Sequence, residues 1–375
     1  MKKTILMIFF LTVLKGTSQT NKTFFLGHSL VNLDVPNMVR KLSIAGAKVF
    51  TYSVNIGNGA NLQYHWNNSS STQGNSWKTT LPLGGFENFI LTEAVPLQGH
   101  LAWSKTYRFA DSLYRFAKLQ NPNIQIYLYE TWHCTSSGNS STSGTGGYPC
   151  SWDPESTTLW RTRLDNDLAK WQSIADSINL IHTNPMLIIP AGQALAQLYD
   201  SIVANKVSGI TSINQLYTDN IHLTNTGNYF IACVMYGAIH KTSPVGLPSQ
   251  LTNPWNSLYT DFPTTTQAGI FQRIAWKTLC AYPRDGVNCM ITHINESFNA
   301  DKLVLTLAPN PAKNEFKIIA DRPLKLKITS INGNLIYENN IYNNNIINIE
   351  TSGIYFIKAI DENNAEVNKK IVIVN

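Results

Sequence analysis

Charge is scarce in this chain: only 14% of its 375 residues are Asp, Glu, Lys or Arg. At 43% hydrophobic and 11% aromatic, a sequence so lightly charged is not that of a disordered protein. The formal net charge is +6. Three of those charges (Lys2, Lys3, Lys15) lie in an acid-free leader, and roughly +3 remains without it. No Arg/Lys stripe is present, so nucleic acid is not an expected partner. Long apolar runs are lacking too. Ile5 to Leu14 is the only stretch that approaches membrane character, and it is too short to span a bilayer. Cysteine is limited to five residues, with no C-x-x-C and no paired Cys/His spacing. Neither a metal site nor a cofactor is therefore expected.

What is present begins with that leader. Lys2 and Lys3 followed by the apolar run and the small residues Gly16, Thr17 and Ser18 predict a secretory signal over 1–19. The mature chain is then expected to have no transmembrane segment. No Cys follows the apolar run, which argues against a lipid anchor. Secretion suits disulfides. Cys134 and Cys150 flank a Ser/Gly/Thr-rich loop, Cys280 and Cys289 flank a short Pro/Gly turn, and these two pairs are predicted to be bridged. Cys233, in the apolar run Tyr229 to Ile239, is predicted to be a buried thiol.

Length alone suggests two to three domains. Residues 22–285 alternate between strand-like and helix-like stretches. Strands are predicted at 23–26, 48–54, 88–91, 123–129 and 186–189. Helices are predicted at 36–45, 100–119, 158–179, 191–204 and 224–240, with a further helix near 267–279 that packs back on the core. Strands separated by helices imply parallel βαβ units and a three-layer α/β sandwich. The 131–158 stretch, with Trp132, Tyr148 and Trp152, reads as an ordered lid-like loop. Composition changes near residue 290. After a linker at 291–302, residues 303–375 hold short alternating runs between Asn/Gly/Pro turns, the pattern of a small all-β sandwich.

The wording of this last segment is distinctive. Leu307-Ala-Pro-Asn-Pro-Ala312, Ile331-Asn-Gly-Asn-Leu-Ile336, Ser352-Gly-Ile-Tyr-Phe-Ile357 and the basic Lys369-Lys370 resemble the C-terminal sorting domain of type IX secretion in Bacteroidota. The resemblance implies an immunoglobulin-like sandwich, the type IX secretion machinery as a partner, and release from the cell or display on its surface.

The chemistry is predicted at the two ends of the α/β domain, 20–290. The first strand runs into Gly27-His28-Ser29-Leu30. A serine there sits where open α/β sheets place ligands, but its hydroxyl needs a base. Tyr217-Thr-Asp219-Asn-Ile-His222-Leu223 supplies one: a carboxylate three residues before an imidazole can orient it toward a nucleophile. Ser29, His222 and Asp219 are therefore the candidate triad. Gly-His-Ser-Leu together with Asp-x-x-His-Leu resembles the SGNH hydrolase superfamily, or GDSL esterases, over residues 22 to about 240. The resemblance implies a flavodoxin-like α/β/α sandwich and serine hydrolase chemistry. His28 stands where the family's usual Asp precedes the serine. The family's second-block glycine maps onto Gly59, with Gly57 as the alternative, so Ser29 and Gly59 are the expected oxyanion donors. The third block departs from the family: Leu91-Thr-Glu-Ala-Val-Pro-Leu-Gln-Gly-His100 has no Asn. Gln98 is the expected substitute, with Thr92 and Asn58 as alternatives, and Glu93 resembles the acid of a variant third block.

Aromatic faces stack on sugar rings. Trp66 and Trp132, with Trp77 and Trp152 beside them, and the neighbouring His65 and His133, are therefore the expected substrate contacts. The expected activity is hydrolysis of O-acetyl esters on a polysaccharide. A general short-chain acyl or aryl esterase and a non-catalytic glycan binder are the competing readings. The cysteine pattern predicts that one thiol titrates in the denatured, unreduced protein; more than one would reject the pairing scheme.

Overall fold

The computed structural model describes residues 20–136, 153, 158–289, 303, 305–320, 322–341, 345–362 and 365–374. The expected signal (1–19), Cys150, Tyr148, Trp152 and the linker (291–302) lie outside the described residues. The chain divides into two compact units. One runs to residue 263 and takes up again at 271–288; the other holds 264–270 and everything from 289 on.

The first unit is built on a six-stranded sheet. Its strands are β1 (Thr20–Gly27), β2 (Val49–Ile56), β3 (Gln73–Gly74), β4 (Asn88–Leu91), β5 (Gln125–Glu130) and β6 (Leu187–Pro190). The order is β3-β2-β1-β4-β5-β6, parallel except for the short edge strand β3. Leaving out β3, this is the flavodoxin-like order, with a switch point at β1, where the chain turns from one side of the sheet to the other. The strands explain the order by their burial. Phe24, Phe25, Leu26, Phe89 and Leu91 are fully enclosed, as expected of parallel strands covered on both faces.

The helices are α1 (Asp34–Ala45), α2 (Leu62–Asn67), α3 (Trp77–Thr80), α4 (Leu97–Trp103), α5 (Thr106–Gln120), α6 (Trp160–Asn179), α7 (Ala191–Val203), α8 (Asn225–His240) and α9 (Thr265–Ala281). On one face, Phe24, Leu26, Leu91 and Leu128 join Phe109, Leu113 and Ala117 of α5 and Trp171, Ile174 and Ile178 of α6 in one apolar cluster. On the other, α1 packs against α8, and Tyr127 of β5 donates to the carbonyl of Ala238 in α8. Helix α8 is buried on all sides along most of its length, as an apolar-all-round helix must be. Its N-terminus is capped by Thr224, which accepts from the Gly227 N–H. Within the first unit, the stretches 241–263 and 271–288 return to this core: Gln272 donates to Tyr229 Oη and to the Leu247 carbonyl.

One expected helix is two. The 100–119 pattern breaks at Lys105, which adopts φ +51°, and Thr106 caps back onto the His100 carbonyl. Trp103 is 85% exposed, so no continuous apolar face runs through 100–119. Helices α2 and α3 were not expected. They are six and four residues long and too polar to show a period.

The second unit is a sandwich of two antiparallel sheets. Its strands are β7 (Leu305–Ala308), β8 (Glu315–Ala320), β9 (Leu324–Ser330), β10 (Leu335–Ile341), β11 (Asn345–Asn348), β12 (Gly353–Asp361) and β13 (Glu366–Ile373). They order as β10-β9-β12-β13 and β11-β8-β7. Leu326, Ile328, Ile357, Ala359 and Ile371 from one sheet meet Phe316, Ile318 and Ile347 from the other. The outward lysines Lys325 and Lys327 alternate with them. This is an immunoglobulin-like arrangement.

Cys134, Cys280 and Cys289 are disulfide-bonded, and Cys233 is a buried free thiol whose pKa burial pushes up. The close approach at the end of β1 makes a separate demand. A Cβ at Gly27 would lie 2.5 Å from Val31 Cγ2 and 2.9 Å from Thr92 Cγ2. Gly27→Ala is expected to destabilise the protein by about 1–3 kcal/mol through overpacking, read from the urea denaturation midpoint. An unchanged midpoint would show that the first and third loops are free to part there.

Candidate functional site

Three loops leave the carboxyl ends of β1, β2 and β4 around the switch point, and a fourth precedes α8. In the first, the N–H groups of Val31 and Asn32 donate to the His28 carbonyl. The Leu30 N–H donates to His28 Nδ1 at 3.3 Å. That contact leaves the ring proton on Nε2, which donates to the Glu93 carbonyl at 3.0 Å. Burial lowers the His28 pKa to about 4, so the ring stays neutral as this bonding requires. His28 thus ties the first loop to the third and leaves Ser29, half-buried, at the apex of the turn.

The fourth loop is a tight hairpin closed by the Tyr217–Leu223 bridge. Asp219 Oδ1 accepts from the N–H groups of Ile221 and His222, both at 2.7 Å. Its Oδ2 lies 2.6 Å from His222 Nδ1, and His222 Nε2 lies 2.8 Å from Ser29 Oγ. Partial burial pushes the Asp219 carboxyl up, but the two amides and the imidazole outweigh it and hold its pKa below the ordinary value. The hairpin is also held from below. Trp132 Nε1 donates to the Ile221 carbonyl at 2.7 Å, and Thr135 donates through its N–H and its hydroxyl to the Asn220 carbonyl.

The second loop distinguishes the two glycines. The Gly57 N–H is taken by the Gly27 carbonyl at 2.9 Å. Gly59 has φ +67°, is exposed, and a Cβ there would meet nothing within 4 Å. Among the described residues, no hydrogen bond claims the amides of Gly59 and Ser29. Gln98 is exposed on α4 and does not line the cavity at Ser29, and the Thr92 hydroxyl donates to the Tyr129 carbonyl. Of the residues weighed for the third donor, only Asn58 borders the cavity with Ser29 and His222.

Of the six expected substrate contacts, Trp152 lies outside the described residues and the other five do not line that cavity. Trp66 packs against Trp77 and Phe109 in the core. His65 is fully buried, bonded to Asn55 Oδ1, and burial lowers its pKa to about 4. Trp132 is 1% exposed and bonded as above. His133 is buried with Nε2 on the Trp160 carbonyl, and burial lowers its pKa to about 3. These side chains follow strand ends, yet they are the packing beneath the loops rather than groups facing the crevice. The wall combines amides, hydroxyls and carboxylates with the apolar side chains of Leu33, Ile56 and Leu223. The cavity at Ser29 has a volume of about 600 Å³ and includes Asn32, Asp34, Asn225, Asn228 and Asp261. It adjoins one of about 740 Å³ and shares Ile56, Asn58 and Gln73 with it. The asparagines adjoining each motif were a signal present in the sequence and not used.

Two buried acids support the loops. Glu93 Oε1 accepts from the N–H groups of Leu62 and Ala94, fixing the start of α2. Glu130 Oε1 accepts from Gln193. Burial raises Glu93 to about 7 and Glu130 to about 8. A carboxyl whose folded pKa is raised keeps a proton that the unfolded chain has released. Stability therefore falls as pH rises from about 4.5 through 7–8.

Residues 306–374 match a family model described as a secretion system C-terminal sorting domain. Residues 306–374 are a type IX sorting domain. This sorting domain makes the protein a secreted or cell-surface one, and among the described residues no helix is long and apolar enough to cross a membrane. No curated protein matches the chain. Among solved structures it is similar to a DUF4886 family protein from Bacteroides uniformis, at 16% identity and TM-score 0.48, covering 71% of this chain and 96% of that one. It is similar to a putative GDSL-like lipase from Parabacteroides merdae, at 12% identity and TM-score 0.39, covering 59% and 96%. It is also similar to a carbohydrate esterase family 3 protein from Talaromyces cellulolyticus, at 12% identity and TM-score 0.35, covering 60% and 100%.

Glu93→Gln, which mimics the protonated acid, is expected to flatten the loss of stability between pH 5 and 8. The gain at pH 8 should be on the order of 1–3 kcal/mol, read from denaturation midpoints across that range. A variant whose pH profile runs parallel to wild type would mean Glu93 ionises freely in the folded protein.

Proposed function

We propose that the α/β unit is a secreted serine esterase of the SGNH type, acting on O-acetyl groups of a polysaccharide. The observation that carries this reading is the unbroken relay from Asp219 Oδ2 through His222 to Ser29 Oγ. His222 Nε2 takes the Ser29 proton as Oγ attacks the ester carbonyl. Asp219 holds Nδ1 protonated and balances the imidazolium that forms. The amides of Ser29 and Gly59, with the Asn58 side chain, take up the charge of the tetrahedral oxygen. His222 then returns the proton to the leaving alcohol, an acyl-enzyme remains on Ser29, and water activated by the same imidazole releases the acid.

The cavity wall supports the substrate class. Its asparagines, threonines and carboxylates, set among Leu33, Ile56 and Leu223, offer a polyhydroxylated alcohol hydrogen-bond partners beside apolar contact. The exposed setting of Gly59 and Asn58 suits a small acyl group at the end of a large molecule. The relay argues against a pure glycan binder, because a binding surface has no use for a serine hydroxyl aligned on an imidazole.

Ser29→Ala is expected to abolish acetate release from acetylated polysaccharide and from p-nitrophenyl acetate while leaving the thermal midpoint unchanged. Asp219→Asn should lower kcat by roughly two to four orders of magnitude. Undiminished turnover by Ser29→Ala would refute the assignment. Turnover of p-nitrophenyl acetate without release from any polymer would favour the general esterase.

A further inference from the structure

Resting on that reading, we infer that the leaving-group side of the cavity selects uncharged or cationic glycan esters and rejects uronates, and that Asp34 and Asp261 set this specificity. Both carboxylates line the cavity with Ser29 and His222, and among the described residues no Lys or Arg lines it or its neighbour. Asp34 is half-buried and Asp261 exposed, and each is held by a neighbouring hydroxyl. The Tyr259 hydroxyl donates to Asp34 Oδ1 at 2.9 Å. Thr226 donates to Asp261 through its hydroxyl at 2.6 Å and its N–H at 3.2 Å. The wall between them is set as well. Asn32 Oδ1 accepts from the N–H groups of Asp34 and Val35, and its amide donates to Asn228 Oδ1.

The consequence is electrostatic. A sugar hydroxyl can donate to a fixed carboxylate in exchange for its bond to water, and an amino sugar gains a charge-assisted bond there. A uronate brings a like charge into the same wall with no cation to pair it. The overall positive charge of the chain would by itself favour anionic polymers, so selectivity in this direction would be a property of the site alone.

A matched pair of small esters tests this: methyl glucoside and methyl glucuronate, each carrying one O-acetyl group, with p-nitrophenyl acetate as a control. The ratio of kcat/KM within each protein cancels any general loss of activity. Wild type is expected to favour the glucoside ester by at least about tenfold at low salt. The ratio should shrink in 0.5 M NaCl and fall toward one in the Asp34→Asn/Asp261→Asn double variant. Equal turnover of both sugars by wild type, or a ratio the double variant leaves intact, overturns the specificity assignment. So does hydrolysis of p-nitrophenyl acetate with neither sugar ester touched. Inactivity toward p-nitrophenyl acetate as well would instead overturn the esterase reading beneath it.

Discussion

The hydrogen bond between His222 Nε2 and Ser29 Oγ joins residues 193 positions apart, and the rest of the α/β unit is arranged so that it forms. Ser29 stands at the end of β1, the strand about which the sheet reverses its order. His222 stands in the hairpin before α8, which packs on α1, the helix that Ser29's own turn leads into. Two loops far apart in sequence are thereby placed on one crevice by helix packing and strand order alone.

Holding them there takes buried polar groups. His28 is neutral, and one ring links the Leu30 amide to the Glu93 carbonyl. Glu93 in turn holds the start of α2, on which the second loop closes. Trp132 and Thr135 support the carbonyls of Ile221 and Asn220, so the imidazole's loop rests on the segment that follows β5. These bonds tie the loops around the crevice to one another and to the core beneath them. The stability lost as the two buried acids ionise is the cost of that arrangement.

Much of this was legible in the residues. The parallel strands announce themselves as apolar runs, α8 as a long apolar helix behind a Thr cap, and the sorting domain as alternating runs between Asn/Gly turns. Gly-His-Ser and Asp-x-x-His are local patterns, and the distance between them in sequence does not blur either. The substrate residues were not legible, for a physical reason. A tryptophan or histidine after a strand end looks alike whether it faces the crevice or the core beneath it. Trp66, Trp132, His65 and His133 all face inward because the loops they sit on need an interior of their own. Gln98 failed for a similar reason: its neighbours Glu93 and Ala94 turn inward, and the chain emerges at Gln98 already on the outer side of α4. Asparagines supply part of the actual wall, and sequence periodicity treats them as turn residues.

The central claim is that Ser29 is a nucleophile made reactive by His222. The most direct measurement is reaction of the folded protein with a fluorophosphonate, followed by peptide mapping by mass spectrometry. The account predicts a single stoichiometric adduct on Ser29, absent in the denatured protein and in His222→Ala. No adduct, or one on another serine, would contradict it.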